Sequence, residues 1–304
     1  MDMSIALQSL ETDASRQAGV SLFVLRLDLI DTYISGNKWF KLQHNLAEAA
    51  HLECKGIASF GGMWSNHLHA LAAIGKQRNV PTMGIVRGHD HGELTATLQD
   101  CRNWGMQLHF VGPTEYRELK RDHSGVLQSR FGGWHVVPEG GANSLGVKGC
   151  EDIGKLLADA DEGPFDEVLL PVGTGATLAG LAVGLGQSAR ISGISVLKGA
   201  VSLAAEIQDF IAGRDVANWQ LLHDYHHGGY GRLSRELAFF ITDFVSKTGI
   251  PLEPVYSGKL FFAAMSLIEQ GYFARGSRIV LLHTGGLQGL RGMQARMDSM
   301  LRLD

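Results

Sequence analysis

Short runs of aliphatic and β-branched residues alternate along this chain with longer stretches in which apolar positions recur every three or four residues. The short runs predict strands at 22–27, 56–60, 83–86, 107–111, 135–137, 167–172, 191–196 and 278–283. The longer stretches predict helices at 66–77, 94–104, 115–130, 147–158, 178–185, 203–212, 233–248 and 260–270. Val168-Leu169-Leu170 and Ile279-Val280-Leu281-Leu282 are apolar at every position, as strands covered on both faces should be. The alternation predicts an α/β fold with largely parallel strands. Trp39, Leu42, Leu46, Ala49 and Ala50 keep helical spacing behind Ser35-Gly36-Asn37-Lys38, so Lys38 falls in the first turn of a further helix, just after a Gly-Asn turn.

No fixed-period repeat or low-complexity tract interrupts this pattern. The block 44–138 alternates helix and strand on its own and is long enough for a small α/β domain. Residues 1–43 and 139–304 are expected to form the larger domain. Ligands of such folds sit beyond the carboxyl ends of the strands, so segments just after strands deserve the closest reading.

Composition narrows the class. At 304 residues, 45% hydrophobic and 19% charged, the chain reads as an ordinary soluble globular protein. Its net charge of −4 gives no reason to expect nucleic acid or an anionic membrane as partner. Cys54, Cys101 and Cys150 are odd in number, widely spaced and without a C-x-x-C pair, which predicts reduced thiols and a cytoplasmic setting. The N-terminal residues lack the pattern of a signal peptide, and the apolar runs are too short to cross a bilayer.

Four segments carry candidate chemistry. A lysine fixed in a turn, as Lys38 is, suits an imine-forming amine, although most lysines are solvated surface charges. Gly173-Thr174-Gly175-Ala176-Thr177 follows a buried strand and opens a helix. Its free N–H groups suit a phosphate, and a turn serving only tight packing is the alternative. It lacks the Gly-Lys-Ser/Thr of a nucleotide loop and the third glycine of a dinucleotide fingerprint, where Leu178 stands. Ser65-Asn66-His67 begins a helix after Gly61-Gly62. Ser65 is a good N-cap, and the same N–H groups could hold a carboxylate. His283-Thr284-Gly285-Gly286 ends the last strand with a hydroxyl; His283 itself reads as a satisfied buried histidine. Tyr256 and Ser257 precede another helix, and Tyr256 is either a core aromatic or a cavity group. Of the thirteen histidines, the groups at 67/69, 89/91 and 226/227 lack i, i+4 spacing and a cysteine partner, so no metal is expected.

A turn lysine, a phosphate cradle and strand-end hydroxyls together describe a pyridoxal phosphate site. At Gly36-Asn37-Lys38-x-x-Lys41-Leu42, Ser65-Asn66-His67 and Pro254-Val255-Tyr256-x-Gly258-Lys259 the chain resembles the 1-aminocyclopropane-1-carboxylate deaminase / D-cysteine desulfhydrase family. The resemblance runs from Val24 to Gly286 and implies the tryptophan synthase β-like fold (fold type II), with pyridoxal 5′-phosphate in the cleft between two α/β domains. It implies that Lys38 carries the cofactor, that Asn66 contacts its 3′-oxygen and that the loop 173–177 holds its phosphate. Ser65, Asn66 and His67 would receive the carboxylate of a small amino acid, with Ser65 near the reacting carbon. Tyr230, in Gly229-Tyr230-Gly231, would stand beside Tyr256 as the second active-site tyrosine, and a homodimer is expected.

Within that family, the deaminases carry a glutamate after the tyrosine and a leucine after the last-strand histidine. Here those positions are Ser257 and Thr284, and His67 replaces a glutamine, so the resemblance favours the desulfhydrases. A hydroxyl at Ser257 or Thr284 would leave the pyridine nitrogen nearer neutral, which suffices when a thiolate departs with its electron pair. The reading is therefore a lyase eliminating sulfide from a D-cysteine-like amino acid, with Lys38 or Ser65 as proton acceptor. The alternatives are the cyclopropane deaminase, a lyase or racemase for another amino acid, a cofactor-binding protein without turnover and, most distantly, a nicotinamide enzyme. Two positions depart from the pattern: Trp64 stands where glutamine is usual, and Ala176 where glycine is common, a methyl that requires a backbone without positive φ.

Overall fold

Two sheets carry the short apolar runs. The computed structural model describes residues 5–34, 36–90, 92–121 and 126–302; Ser35, at the head of the lysine segment, lies outside the described residues. The chain begins with β1 (Leu7–Leu10), α1 (Asp13–Ala18) and β2 (Ser21–Arg26), followed by α2 (Asn37–His51). An alternating stretch follows: β3 (Gly56–Gly62), α3 (Asn66–Arg78), β4 (Thr82–Arg87), α4 (Ala96–Asn103), β5 (Gln107–Val111), α5 (Pro113–Arg121), α6 (Val126–Phe131) and β6 (Trp134–Val137). The chain then runs through α7 (Ser144–Ala158), β7 (Glu167–Val172), α8 (Ala176–Leu185), β8 (Arg190–Ser195), α9 (Leu203–Ile211) and β9 (Trp219–Leu222). It ends with α10 (Arg235–Thr248), α11 (Ser257–Glu269), β10 (Arg278–His283) and α12 (Gln294–Leu301).

The smaller sheet has the order β5-β4-β3-β6, all parallel, and the larger β1-β2-β10-β7-β8-β9, parallel except for β1. Strand order reverses between β3 and β6 in one sheet and between β7 and β10 in the other. Each reversal opens a crevice at the carboxyl ends of its strands, where helices leave to opposite sides. The fold places both crevices on a common cavity, walled by residues following β3, β6, β7 and β10.

Helix–helix packing fixes the loops around that cavity. Most of α8 is buried and it has no polar face, the composition of a helix enclosed on all sides. It meets α7 backbone to backbone: a Cβ on Gly180 would stand 2.4 Å from the Val147 carbonyl oxygen, and one on Gly184 2.0 Å from that of Glu151. Gly149 of α7 approaches α2 as closely, at 1.8 Å from the Phe40 carbonyl. Three helices are thereby locked in register, and the first turns of α2 and α8 are held side by side. One apolar cluster runs from Leu42 of α2 to Leu71 of α3 and Leu170 of β7, so it joins the interiors of both sheets.

The eight predicted strands are all present, with β3 running two residues further than the pattern 56–60. Gly61 and Gly62 still pair with Val86 and Arg87 of β4, because glycine ends a hydrophobic run without ending the hydrogen-bond ladder. The edge strands β1 and β9, with four residues each, were not anticipated; they are too short to show a period. The helix expected over 115–130 is instead two, α5 and α6, separated by residues outside the described set. Thr95, Asn143 and Ser234 cap α4, α7 and α10 by accepting a backbone N–H two residues into each helix.

Candidate active site

A turn that only glycine can make presents Lys38. Gly36 has φ +52°, and a Cβ there would stand 2.0 Å from the Thr284 carbonyl oxygen, which also accepts from Asn37 N at 3.4 Å. The segments around Lys38 and Thr284 are thus pressed together. Asn37 is buried and joins three parts of the site: its Nδ2 donates to Thr177 Oγ1 at 2.9 Å, and its Oδ1 accepts from Lys38 Nζ at 2.9 Å. The Lys38 amine is half-buried on the wall of a cavity of about 870 Å³, within the range that holds a small molecule or cofactor. Burial, reinforced by the neighbouring Lys41 cation, lowers its pKa from 10.5 to about 7.

Lys41 lies one turn further along α2. Its buried amine donates to Gly140 O at 3.0 Å and reaches Thr174 Oγ1 at 3.5 Å, and among the described residues no carboxylate pairs with it. Burial lowers its pKa as well. A buried cation without an acid, set against the loop 173–177, marks a place for an anion. Gly175 there has φ +79° and caps α8, whose first N–H groups face the loop. Gly173, Thr174, Gly175 and Thr177 line the cavity. Ala176 does not: it is the first residue of α8, outside the positive-φ set, and its methyl is buried. The departure from glycine therefore costs nothing in conformation, and Ala176 has no side-chain contact to offer a phosphate.

Across the cavity, Ser65 caps α3, its Oγ accepting from Leu68 N at 3.2 Å. That bond uses an oxygen lone pair and leaves the hydroxyl proton free to be donated. Asn66 Oδ1 accepts from Gln288 Nε2 at 2.7 Å, and its side chain sits so close to Gly286 that a Cβ there would stand 2.2 Å from Nδ2. His67 is buried, with Nε2 2.9 Å from Ser59 Oγ, which itself donates to Val137 O at 2.8 Å. Ser59 must then accept, so His67 carries its proton on Nε2 and leaves Nδ1 as a buried acceptor without a partner among the described residues. Burial, with the charges of Lys38 and Lys41, holds its pKa well below 6.5 and keeps it neutral.

Tyr230 and Tyr256 both reach the cavity, their rings edge to face with centroids 5.9 Å apart. Burial, strengthened by Tyr230, raises the Tyr256 pKa well above 10 and keeps the phenol protonated. The Tyr230 loop is held from below by Lys259, whose fully buried amine donates to Gly229 O at 2.7 Å. Thr284 is on the cavity wall. Ser257 is not. Its Oγ accepts from Glu253 N at 2.8 Å and lies 3.3 Å from Glu253 Oε1, away from the cavity. The cause is Glu253, whose buried carboxylate accepts from Val255 N at 2.7 Å, Tyr256 N at 2.7 Å and Ser257 N at 2.8 Å. The start of α11 needs these acceptors, and Ser257 completes that network instead of facing a ligand.

His283 is a satisfied core residue, with Nε2 2.7 Å from Pro251 O and Nδ1 accepting from Gly285 N at 3.2 Å. Trp64 stands at the cavity mouth, 40% exposed, against Gly292, where a Cβ would come within 2.8 Å of the indole. Bulk at this position covers the rim. The sequence reading passed over Asn37, Glu253, Arg87 and Glu139. Arg87 ends β4 and Glu139 lies two residues past β6, a positional signal; Asn37 and Glu253 are recognisable only from their partners.

The residues fit pyridoxal phosphate: a lysine on the wall, an unpaired buried cation at a helix-start loop, and enough room between them. The sequence matches the pyridoxal-phosphate dependent enzyme family over residues 7–285, and the chain belongs to it. A putative 1-aminocyclopropane-1-carboxylate deaminase of Pyrococcus horikoshii is 29% identical over 90% of this chain and 87% of its own. A bifunctional D-cysteine desulfhydrase/1-aminocyclopropane-1-carboxylate deaminase of Arabidopsis thaliana is 28% identical over 93% of this chain and 76% of its own. A crystal structure of a homologue of the deaminase superposes with a TM-score of 0.84 at 26% identity, covering 97% of this chain and 93% of that one. The architecture is the fold type II, tryptophan synthase β-like arrangement.

Proposed function

We propose that the protein is a D-cysteine desulfhydrase-like lyase, releasing pyruvate, ammonia and sulfide from a small D-amino acid. The observation that carries this reading is the Lys38 amine, held on the cavity wall by Asn37 and brought to a pKa of about 7. Lys38 would hold the cofactor, Lys41 with Thr174 and the start of α8 its phosphate, and Asn66 its 3′-oxygen. Pyridoxal phosphate supplies an electron sink for the pair released when a Cα–H bond breaks.

The start of α3 presents N–H groups and the free Ser65 hydroxyl proton to the substrate carboxylate, a placement the helix dipole favours. Neutral His67 stands behind them with an open acceptor and adds no charge to repel Lys38. Lys38, poised near neutrality, is placed to take the α-proton, which leaves the substrate when the Cβ–S bond breaks and sulfur departs with the bonding pair. Tyr256, held protonated, is placed with Tyr230 to donate to the departing sulfur. The position after Tyr256 shows the cavity no carboxylate, since the Ser257 hydroxyl and both Glu253 oxygens are engaged inside the fold. That supports the desulfhydrase reading over the deaminase.

The three free cysteines support a reducing compartment, so the reading includes a cytoplasmic setting, and family likeness adds a homodimer. The purified holoprotein is expected to form pyruvate and sulfide from D-cysteine, with Lys38→Ala abolishing turnover and the visible absorbance of the bound cofactor together. Release of 2-oxobutyrate from the cyclopropane acid without sulfide from D-cysteine would assign the deaminase reaction instead. A Lys38→Ala variant that kept both colour and turnover would remove the lysine from its role.

A further inference from the structure

Arg87 is a cation at the cavity mouth that the reaction above leaves unused. It is the last residue of β4, paired in register with Gly62, and its Nη2 lies 3.9 Å from where a Cβ on Gly62 would stand. Gly62 carries no side chain to cover the guanidinium, which lines the cavity beside the segment leading to Ser65. Its contact is the face of Tyr116, with Cζ 5.8 Å from the ring centroid; no described carboxylate lies within ion-pair distance. Lys120 lies over the same ring at 5.8 Å and is paired with Glu139 at 2.5 Å. Two cations and one carboxylate leave this part of the rim with one net positive charge. Arg87 and Glu139 line the same cavity as Tyr230 and Tyr256. The acids of the other rim, Glu206 and Asp209, enter from α9, whose Ile207 packs on Gly175 at the phosphate-loop end.

We propose that Arg87 is a specificity determinant binding a terminal anion on the substrate side chain. The preferred substrates are then β-substituted D-amino acids ending in a carboxylate or sulfonate, not D-cysteine itself. The inference rests on the proposed lyase reaction, in which the carboxylate at α3 and the amine at Lys38 leave the side chain directed at Tyr256 and Tyr230. Arg87 lines the same cavity, beside Gly62, and a guanidinium pairs a carboxylate through two parallel bonds. For S-carboxymethyl-D-cysteine, the Cα–H and Cβ–S bonds break and sulfur keeps the bonding pair. With one water consumed, the products are pyruvate, ammonia and thioglycolate.

The test compares this substrate with its neutral isostere, S-carbamoylmethyl-D-cysteine, on the holoenzyme. The wild type is expected to favour the carboxylate by about tenfold in kcat/KM, mainly through KM, and less at high salt. Arg87→Gln should bring the ratio near one, and Arg87→Lys, which keeps the charge, should retain part of it. Titration of the cofactor absorbance with each compound gives the same comparison as binding alone. A wild-type ratio near one, or a ratio unchanged in Arg87→Gln, overturns the inference. If D-cysteine yields pyruvate while the two thioethers are handled alike, this inference falls alone. If none of the three is turned over or alters the absorbance, the lyase reading falls with it.

Discussion

Asn37 donates its side-chain amide to Thr177 Oγ1 across 2.9 Å, joining the first turn of α2 to the first turn of α8. The bond links the segment that presents the lysine to the segment that would hold a phosphate, 140 residues away in the chain. Distance between amine and anion site is thereby set by one buried amide.

Asn37→Ala leaves the buried Thr177 hydroxyl and the Lys38 amine without that partner. A cost of about 1–3 kcal/mol is expected, the range for an unsatisfied buried polar group. Thermal unfolding of the apoprotein measures it, and titration with pyridoxal phosphate should show weaker binding. If the double variant with Thr177→Ala costs the sum of the two single changes, the groups are not coupled.

The lowered pKa of Lys38 predicts how attachment of the cofactor depends on pH. Burial disfavours the charged amine, so above about pH 7 the reactive neutral form predominates. The rate at which absorbance develops after mixing apoprotein with cofactor should rise about tenfold per pH unit below that value and level off above it. A rate that keeps climbing toward pH 10 would mean an ordinary solvated lysine.

Gly36→Ala combines a positive φ with a Cβ placed 2.0 Å from the Thr284 carbonyl oxygen. A loss of about 2–4 kcal/mol is expected from backbone strain plus overpacking. Gly276→Ala is the matched control: its φ is +89°, with nothing within 4 Å of the added methyl. Similar melting temperatures for the two variants would show that the close approach to Thr284 is not rigid.

Lys259→Met removes the buried donor to Gly229 O and leaves that carbonyl only the Arg232 N–H, at 3.0 Å; the loss of one hydrogen bond from a charged donor is expected to cost about 1–2 kcal/mol. Because that carbonyl adjoins Tyr230, the variant should also lose turnover of D-cysteine beyond what its melting temperature explains. Unchanged kinetics in a folded Lys259→Met protein would separate the lysine from the tyrosine loop.

Much of the framework was legible in the chain itself. The eight strands with a clear period, the helix start at Lys38 and the glycine turns after buried strands are encoded within a few residues of one another. Local periodicity and turn chemistry act at that range. What they could not show is which turns meet. Lys41 reaches Gly140 and Thr174, 99 and 133 residues away, only because strand order reverses beside β7 and beside β3. Ser257 illustrates the opposite case: its place after Tyr256 suggested a ligand contact, and the folded chain turns it toward Glu253 to satisfy the start of α11. Arg87 stands one residue past the apolar run 83–86, and only the register of β3 and β4 sets it beside Gly62. Residue types and spacing determined the elements and the kind of chemistry available. Sheet order, register and backbone contact between helices decided which of those groups share a cavity, because pairings between distant segments depend on how strands and helices assemble in space.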